Sequence, residues 1–148
     1  MELKELYQEI ILDHAKNPRN KGKCNGYNHD AEAHNPLCGD KVHIFLKLDA
    51  DKNIIGLSFE GDGCAISLAS ASILTDTLQG KDLSFTKKIT NDFLNMLKNK
   101  TKITLNSLTE DQITTITSLS GVREFPMRIK CATMAWHALL SAIEKKNN

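Results

Sequence analysis

Two runs of alternating apolar residues, joined by a short polar segment, limit the folds open to this chain more than any other feature. Each run places every second side chain on one face, which is the pattern of a strand buried on one side. The joining residues 49–53 are rich in turn formers, so the two runs predict an antiparallel hairpin. The apolar positions are Val42, Ile44, Leu46 and Leu48, then Ile55, Leu57 and Phe59. With a further strand predicted at 31–34, the sheet has about three strands.

Helical periodicity dominates the segments on either side of this sheet. The first helix ends before Asn17-Pro18, because the residue preceding a proline disfavours the α region. Thr109 and Gln112 match a capping box that opens a short helix ending near Gly121. Pro126 suits the N-terminus of the last helix, whose predicted apolar stripe is Ile129, Thr133, Trp136, Leu140 and Ile143. Further helices are predicted at 65–79 and 86–98.

A half-buried sheet needs a second layer over its apolar face. Because the strands and helices are segregated along the chain, we expect a small α+β fold with helices packed on one face of the sheet. The chain has 148 residues, which is the size of one ordinary domain. We therefore expect a single domain over residues 1–148.

The charge balance excludes one large class of partner. Nineteen basic and 18 acidic residues leave a net charge of +1, with no excess to neutralise a polyphosphate backbone. No apolar run approaches the roughly 20 residues that cross a bilayer. The acidic residues near the N-terminus are atypical of a signal or transit peptide. We expect a cytoplasmic protein with no nucleic-acid or membrane partner, in which the four cysteines stay reduced.

Three of these cysteines lie beside glycine or basic residues at predicted element ends. Cys38 stands in Asn35-Pro-Leu-Cys-Gly-Asp40, Cys64 in Gly61-Asp-Gly-Cys, and Cys131 in Arg128-Ile-Lys-Cys. A helix N-terminus at Cys64 and the basic neighbours of Cys131 favour thiolate, the form that binds metal and attacks sulfur. The remaining cysteine, Cys24, lies in a polar loop and is interpreted as an exposed thiol.

Cys38, Asp40, Cys64 and Cys131 together would make a four-coordinate set of the kind that zinc prefers. Three thiolates and one carboxylate around a divalent ion leave a formal charge of −2. Candidate cations to balance this charge are Arg128, Lys130 and Lys41. Taken singly, each cysteine is more often an ordinary buried or turn thiol, and the spacing alone, without a CxxC pair, is weak evidence for a metal site. The occurrence of three cysteines in glycine- or base-flanked settings favours the metal site.

The three cysteine motifs resemble those of the IscU/NifU-type iron–sulfur cluster assembly proteins. The segment Gly61-Asp-Gly-Cys-Ala-Ile-Ser67 and the segment Arg128-Ile-Lys-Cys-Ala-Thr-Met-Ala-Trp136 are similar to the second and third motifs. The opening LYQEIILDHAKNPRN resembles the family's first helix, so the likeness covers nearly the whole chain. In IscU scaffolds a histidine precedes the third cysteine, whereas Lys130 precedes it here. This lysine and the longer stretch between Gly80 and Gly121 resemble the SufU branch.

The SufU resemblance implies a zinc-dependent sulfur acceptor for a SufS-type cysteine desulfurase. It implies Cys38 as the acceptor, with Asp40, Cys64 and Cys131 completing the zinc site, and downstream iron–sulfur assembly proteins as further partners. Arg128 is expected to balance the charge of the site or to contact the partner. Two alternatives remain: an IscU-type scaffold for a [2Fe–2S] cluster, and a purely structural zinc module.

Overall fold

The structure, a computed structural model, describes residues 2–36, 39–99, 101–103 and 107–144. Five α-helices and a three-stranded sheet follow one another along these residues. The strands are β1 (His29–Asn35), β2 (Asp40–Leu48) and β3 (Ile54–Asp62). The helices are α1 (Leu3–Lys16), α2 (Ala65–Leu78), α3 (Leu83–Asn99), α4 (Glu110–Thr117) and α5 (Pro126–Glu144), with a 3₁₀ helix (Ser118–Glu124) between α4 and α5.

The sheet is antiparallel throughout, in the order β1-β2-β3. Ile44 lies opposite Phe59 and Leu46 opposite Leu57, so these apolar residues share one buried face. The predicted place of Ile55 on that face is wrong: its side chain is 54% exposed and Ile54 is buried instead, because the strand register shifts between Lys47 and Leu48. Helices α5 and α2 cover that face, and the predicted α+β architecture is confirmed. In the described part of the chain, no helix combines the length and apolar composition that crossing a membrane requires.

Local signals account for most of the element ends. The Thr109 and Gln112 side chains form the predicted capping box at the start of α4. Helix α4 itself ends at Thr117, and the 3₁₀ helix carries the chain on past Gly121, where the sequence had placed the helix end. Gly80 ends α2 with a φ of +78°, a conformation that glycine adopts without a Cβ clash.

The apolar stripe predicted for α5 is wrong in phase. Ile129, Thr133, Leu140 and Ile143 are only half-buried, and Trp136 alone of the predicted stripe is fully buried. Helix α5 packs on β1 and β2 on one side and on α2 on the other, so its buried surface is wider than one stripe. Its buried residues are Cys131, Ala132, Met134, Ala135, Trp136, Ala138, Leu139 and Ala142.

Helix α2 joins its neighbours through buried serines rather than apolar contacts alone. The Ser70 hydroxyl donates to the Ala132 carbonyl of α5 at 2.5 Å and accepts from Trp136 Nε1 at 2.9 Å. The Ser72 hydroxyl accepts from the backbone N–H of Arg19 and lies 2.8 Å from His14 Nδ1 in α1. These bonds hold α1 and α5 against the middle of α2.

Candidate metal centre

The adjoining ends of β1 and β2 lie at the same end of the sheet as the start of α2. Asn35, the last residue of β1, pairs with Asp40, the first residue of β2. The N–H of Gly39 donates to the Asn35 carbonyl at 2.9 Å, and Gly39 has a φ of +70°, so the end of β1 lies close to the start of β2. At the same end of the sheet, β3 leads directly into α2, whose N-cap residue is Cys64. Asp40 and Cys64 are therefore brought together by the hairpin and the strand-to-helix connection.

Cys131 completes the group from the first turns of α5. One ligand atom each from Asp40, Cys64 and Cys131 lie within 4.8 Å of one another. Asp40 is 2% exposed and Cys131 is fully buried, whereas Cys64 is half-buried. Among residues 2–36, 39–99, 101–103 and 107–144, this is the one set of three side chains that meets the requirement for a common metal ion.

The chemistry of this donor set fits zinc. Zinc takes thiolate sulfur at about 2.3 Å and carboxylate oxygen at about 2.0–2.2 Å, so atoms that share one ion lie within about 4 Å of each other. The separations in this group approach that spacing.

Hydrogen bonds hold the Asp40 carboxylate on both oxygens. Oδ1 accepts from the Cys64 backbone N–H at 3.0 Å, and Oδ2 accepts from the Ser67 hydroxyl at 2.6 Å. The Cys64 thiol also points at Oδ2, at 3.6 Å. Burial acts to raise the pKa of Asp40, but the hydrogen bonds from Ser67, Cys131 and Cys64 outweigh it and leave the pKa below its usual value.

Cys131 behaves differently from the sequence-based expectation. Burial raises its pKa to about 12, and the neighbouring Asp40 and Cys64 act in the same direction. A hydrogen bond with Arg128 lowers this pKa but does not offset the burial. The thiolate form at Cys131 therefore depends on a bound cation rather than on the nearby basic residues, because a metal ion deprotonates a coordinating thiol outright.

Of the other predicted residues, the structure separates one from the site. Lys41 lies on the opposite face of β2, where its ammonium group is 3.8 Å from Glu32 Oε2, so its predicted role as a counter-cation is wrong. Lys130 is exposed on α5. The prediction that Cys24 is exposed is wrong: Cys24 is half-buried beside Gly56 of β3, and it lies outside the metal-binding group. Cys38, predicted as both ligand and sulfur acceptor, lies outside the described residues, and both roles stay predictions.

Two site residues went unassigned at the sequence level. Ser67 contacts both Asp40 and Cys64 Sγ, the latter at 3.5 Å. Asn35 Nδ2 donates a long hydrogen bond to Cys131 Sγ at 3.9 Å. No local spacing indicates the contact of Ser67 with Asp40, because the two residues stand 27 positions apart in the sequence.

Comparison with known proteins shows the family of the chain. The family model described as the NifU-like N terminal domain matches residues 6–147. The chain belongs to this family. It is 40% identical over 144 residues to the zinc-dependent sulfurtransferase SufU of Bacillus subtilis, covering 97% of this chain and 93% of the relative. It is 36% identical over 146 residues to the iron–sulfur cluster assembly scaffold protein IscU of Streptococcus pyogenes, covering 99% and 87%.

Solved structures of similar proteins share the fold. A candidate iron–sulfur cluster assembly scaffold protein for the SUF system, from Fervidobacterium islandicum, superposes with a TM-score of 0.80 at 31% identity. That alignment covers 94% of this chain and 97% of the other. A NifU-like protein from Brucella abortus superposes with a TM-score of 0.81 at 22% identity, covering 96% and 94%. The second likeness concerns the fold alone.

Proposed function

We propose that this protein is a zinc-dependent sulfur acceptor, which takes persulfide sulfur from a SufS-type cysteine desulfurase for iron–sulfur cluster assembly. The observation that carries the proposal is the convergence of Asp40, Cys64 and Cys131, from three separate elements, on one point. The 40% identity to a zinc-dependent sulfurtransferase over nearly the whole chain supports the choice of metal and activity.

Asp40, Cys64 and Cys131 would hold the zinc ion together with Cys38. Cys38 stands two residues before Asp40 in the sequence. When bound, zinc supplies positive charge that stabilises the thiolate form of its cysteine ligands. Arg128, which already lies in hydrogen-bonding contact with Cys131, would balance part of the remaining negative charge.

The transfer step assigns Cys38 the role of nucleophile. The Cys38 thiolate attacks the terminal sulfur of the desulfurase persulfide and forms a new S–S bond. The old S–S bond breaks, and its electron pair leaves with the cysteine thiolate of the desulfurase. No net oxidation occurs, because the exchange follows the same chemistry as thiol–disulfide exchange. The product is a persulfide on Cys38.

The decisive experiment is mass spectrometry of the protein after incubation with cysteine and a SufS-type desulfurase. We expect the wild-type protein to gain the mass of one sulfur atom and to stimulate desulfurase turnover, and the Cys38→Ser variant to do neither. Cys24→Ser is the matched control, because Cys24 lies outside the metal-binding group, and it should behave as wild type. Stimulation or sulfur gain by Cys38→Ser would refute Cys38 as the acceptor.

A scaffold for a [2Fe–2S] cluster is the second candidate function. It is favoured by relatives named IscU scaffold proteins that align over nearly the whole chain, at 36% and 30% identity. Cluster irons favour sets of cysteine or of cysteine and histidine ligands, and Lys130 stands where a scaffold would have a histidine. Anaerobically purified protein that is brown, with cluster absorption, would support the scaffold. A colourless protein with about one zinc ion per chain would support the sulfur acceptor.

A structural zinc module would bind the same metal without chemistry at Cys38. It predicts full zinc occupancy and no gain of sulfur in the mass spectrometry experiment. The same measurement therefore separates it from the sulfur acceptor.

A further inference from the structure

The cap of helix α2 comes from another element. Asp40, at the start of β2, accepts the N–H of Cys64 at the helix N-terminus and the hydroxyl of Ser67 one turn further on. A carboxylate at this end of a helix is also favoured by the helix dipole. The carboxylate therefore has two tasks, since it caps α2 and lies in the metal-binding group.

Ser67 holds one of the two carboxylate oxygens. Its side chain is fully buried, so the hydroxyl has to find its partner among protein atoms. A serine hydroxyl carries a single proton. The 2.6 Å separation from Asp40 Oδ2 is that of a strong hydrogen bond, whereas Cys64 Sγ lies 3.5 Å away. The Ser67 hydroxyl proton is therefore donated to the carboxylate, and this hydrogen bond restricts rotation of the carboxylate about the Cβ–Cγ bond of Asp40.

We propose that Ser67 is a positioning residue of the metal centre, which holds the Asp40 carboxylate in the orientation that binds the ion. Oδ1 accepts from the Cys64 N–H, whereas Oδ2 accepts from Ser67 and lies 3.6 Å from Cys64 Sγ. This arrangement favours binding of the ion through Oδ2 alone. Partners that orient metal ligands in this way typically change metal affinity by about 10–100-fold. This inference rests on the metal-binding part of the proposed function and not on sulfur transfer.

The test is the zinc affinity of Ser67 variants, measured by competition with a chelating dye. The variants Ser67→Thr and Ser67→Val have the same shape and differ in the hydroxyl group alone. We expect Thr to keep the wild-type affinity within a few-fold and Val, like Ser67→Ala, to weaken it by about 10–100-fold. Ser72→Ala is the matched control, because Ser72 is equally buried on α2 and bonds to α1 instead. It should leave the affinity unchanged.

A double-mutant cycle with Asp40→Ala separates positioning from general stability. If Ser67 acts through the carboxylate, Ser67→Val should cost no further affinity once Asp40 is Ala. Cobalt substitution adds a spectroscopic readout, because a change in carboxylate binding should alter the visible spectrum of Co²⁺ in Ser67→Val but not in Ser72→Ala.

Two outcomes would overturn the inference: equal zinc affinities for Ser67→Thr and Ser67→Val, or the same loss with and without Asp40. A wild-type protein that binds no zinc would instead refute the proposed function. Failure of sulfur transfer with zinc binding intact would leave the role of Ser67 standing on its own measurements.

Discussion

Gly63, directly before Cys64, is where a single added methyl group should damage the metal centre most. A Cβ at this position would lie 2.6 Å from Asp40 Oδ1 and 2.8 Å from Asp40 Cγ, whereas ordinary van der Waals contact begins at 3.4 Å. In Gly63→Ala the carboxylate therefore has to move away from the Cys64 N–H. Losing a buried hydrogen bond to a charged group costs about 1.5–3 kcal/mol, and we expect the free energy of unfolding to fall by that amount.

The same displacement should weaken zinc binding, because the carboxylate leaves the group that it forms with Cys64 and Cys131. We expect an affinity loss of about 10–100-fold, comparable to the loss of an orienting partner. Stability is measured by denaturant unfolding in the presence of a chelator, with fluorescence of the single tryptophan, Trp136, as the probe. Zinc affinity is measured by dye competition.

Gly121→Ala provides the matched control, since a Cβ there has nothing within 4 Å among the described residues. It makes the same chemical change in the 3₁₀ helix, away from Asp40. If Gly63→Ala and Gly121→Ala gave the same stability and the same zinc affinity, the close approach of Asp40 to the α2 N-terminus would be refuted.

Three further predictions follow from the core and the site. Burial lowers the pKa of His14, and Arg19 adds to this, so the histidine is neutral when folded and takes up a proton on unfolding. The contribution of His14 to the free energy of unfolding should be complete above about pH 6.5, and it should be lost as the pH falls towards the lower pKa of the folded state. Unfolding curves at several pH values should show the free energy of unfolding decreasing over this range, and the decrease should be smaller in His14→Gln. Ser70→Ala should cost about 1–3 kcal/mol in denaturant unfolding, because Trp136 Nε1 is left without its partner in the core; an unchanged midpoint would contradict this. Free zinc at about 100 times its dissociation constant should add about 2.7 kcal/mol to the free energy of unfolding, and a chelator should remove that gain in the wild type but less in Asp40→Ala.

Secondary structure was predictable where its signals are local. The turn formers at 49–53, the capping box at Thr109 and the glycine at position 80 act within a few residues of the ends they set. Each of these element ends was predicted correctly, because the interactions that stabilise it come from residues close in sequence. The end of α4 was misplaced because a 3₁₀ turn continues the chain without a change of residue type.

The phase of α5 shows where sequence periodicity fails. A single apolar stripe describes a helix that buries one face, but α5 is enclosed by the sheet and by α2. Small residues such as Ala132 and Ala138 are buried there as completely as Trp136. Which side of such a helix is buried depends on contacts with distant elements, which no local pattern encodes.

The candidate site divides in the same way. The residue types and their glycine-flanked or basic settings already indicated which side chains could bind zinc. Their electrostatic states were not readable from neighbours, since burial and Asp40 raise the pKa of Cys131 despite Arg128 three residues away. The role of Ser67 could not be predicted from the sequence, because its hydroxyl bonds to Asp40, which is 27 positions away.

The amino-acid sequence by itself thus determined the α+β composition, the hairpin and the set of candidate ligands. These depend on side-chain chemistry and short-range periodicity, which are properties of the chain before it folds. Only the tertiary structure decided that Asp40 caps α2, that Lys41 faces away from the site and that Cys131 is fully buried. Those facts depend on how the end of the sheet packs against the N-terminal parts of α2 and α5. This packing is between elements that lie far apart in sequence.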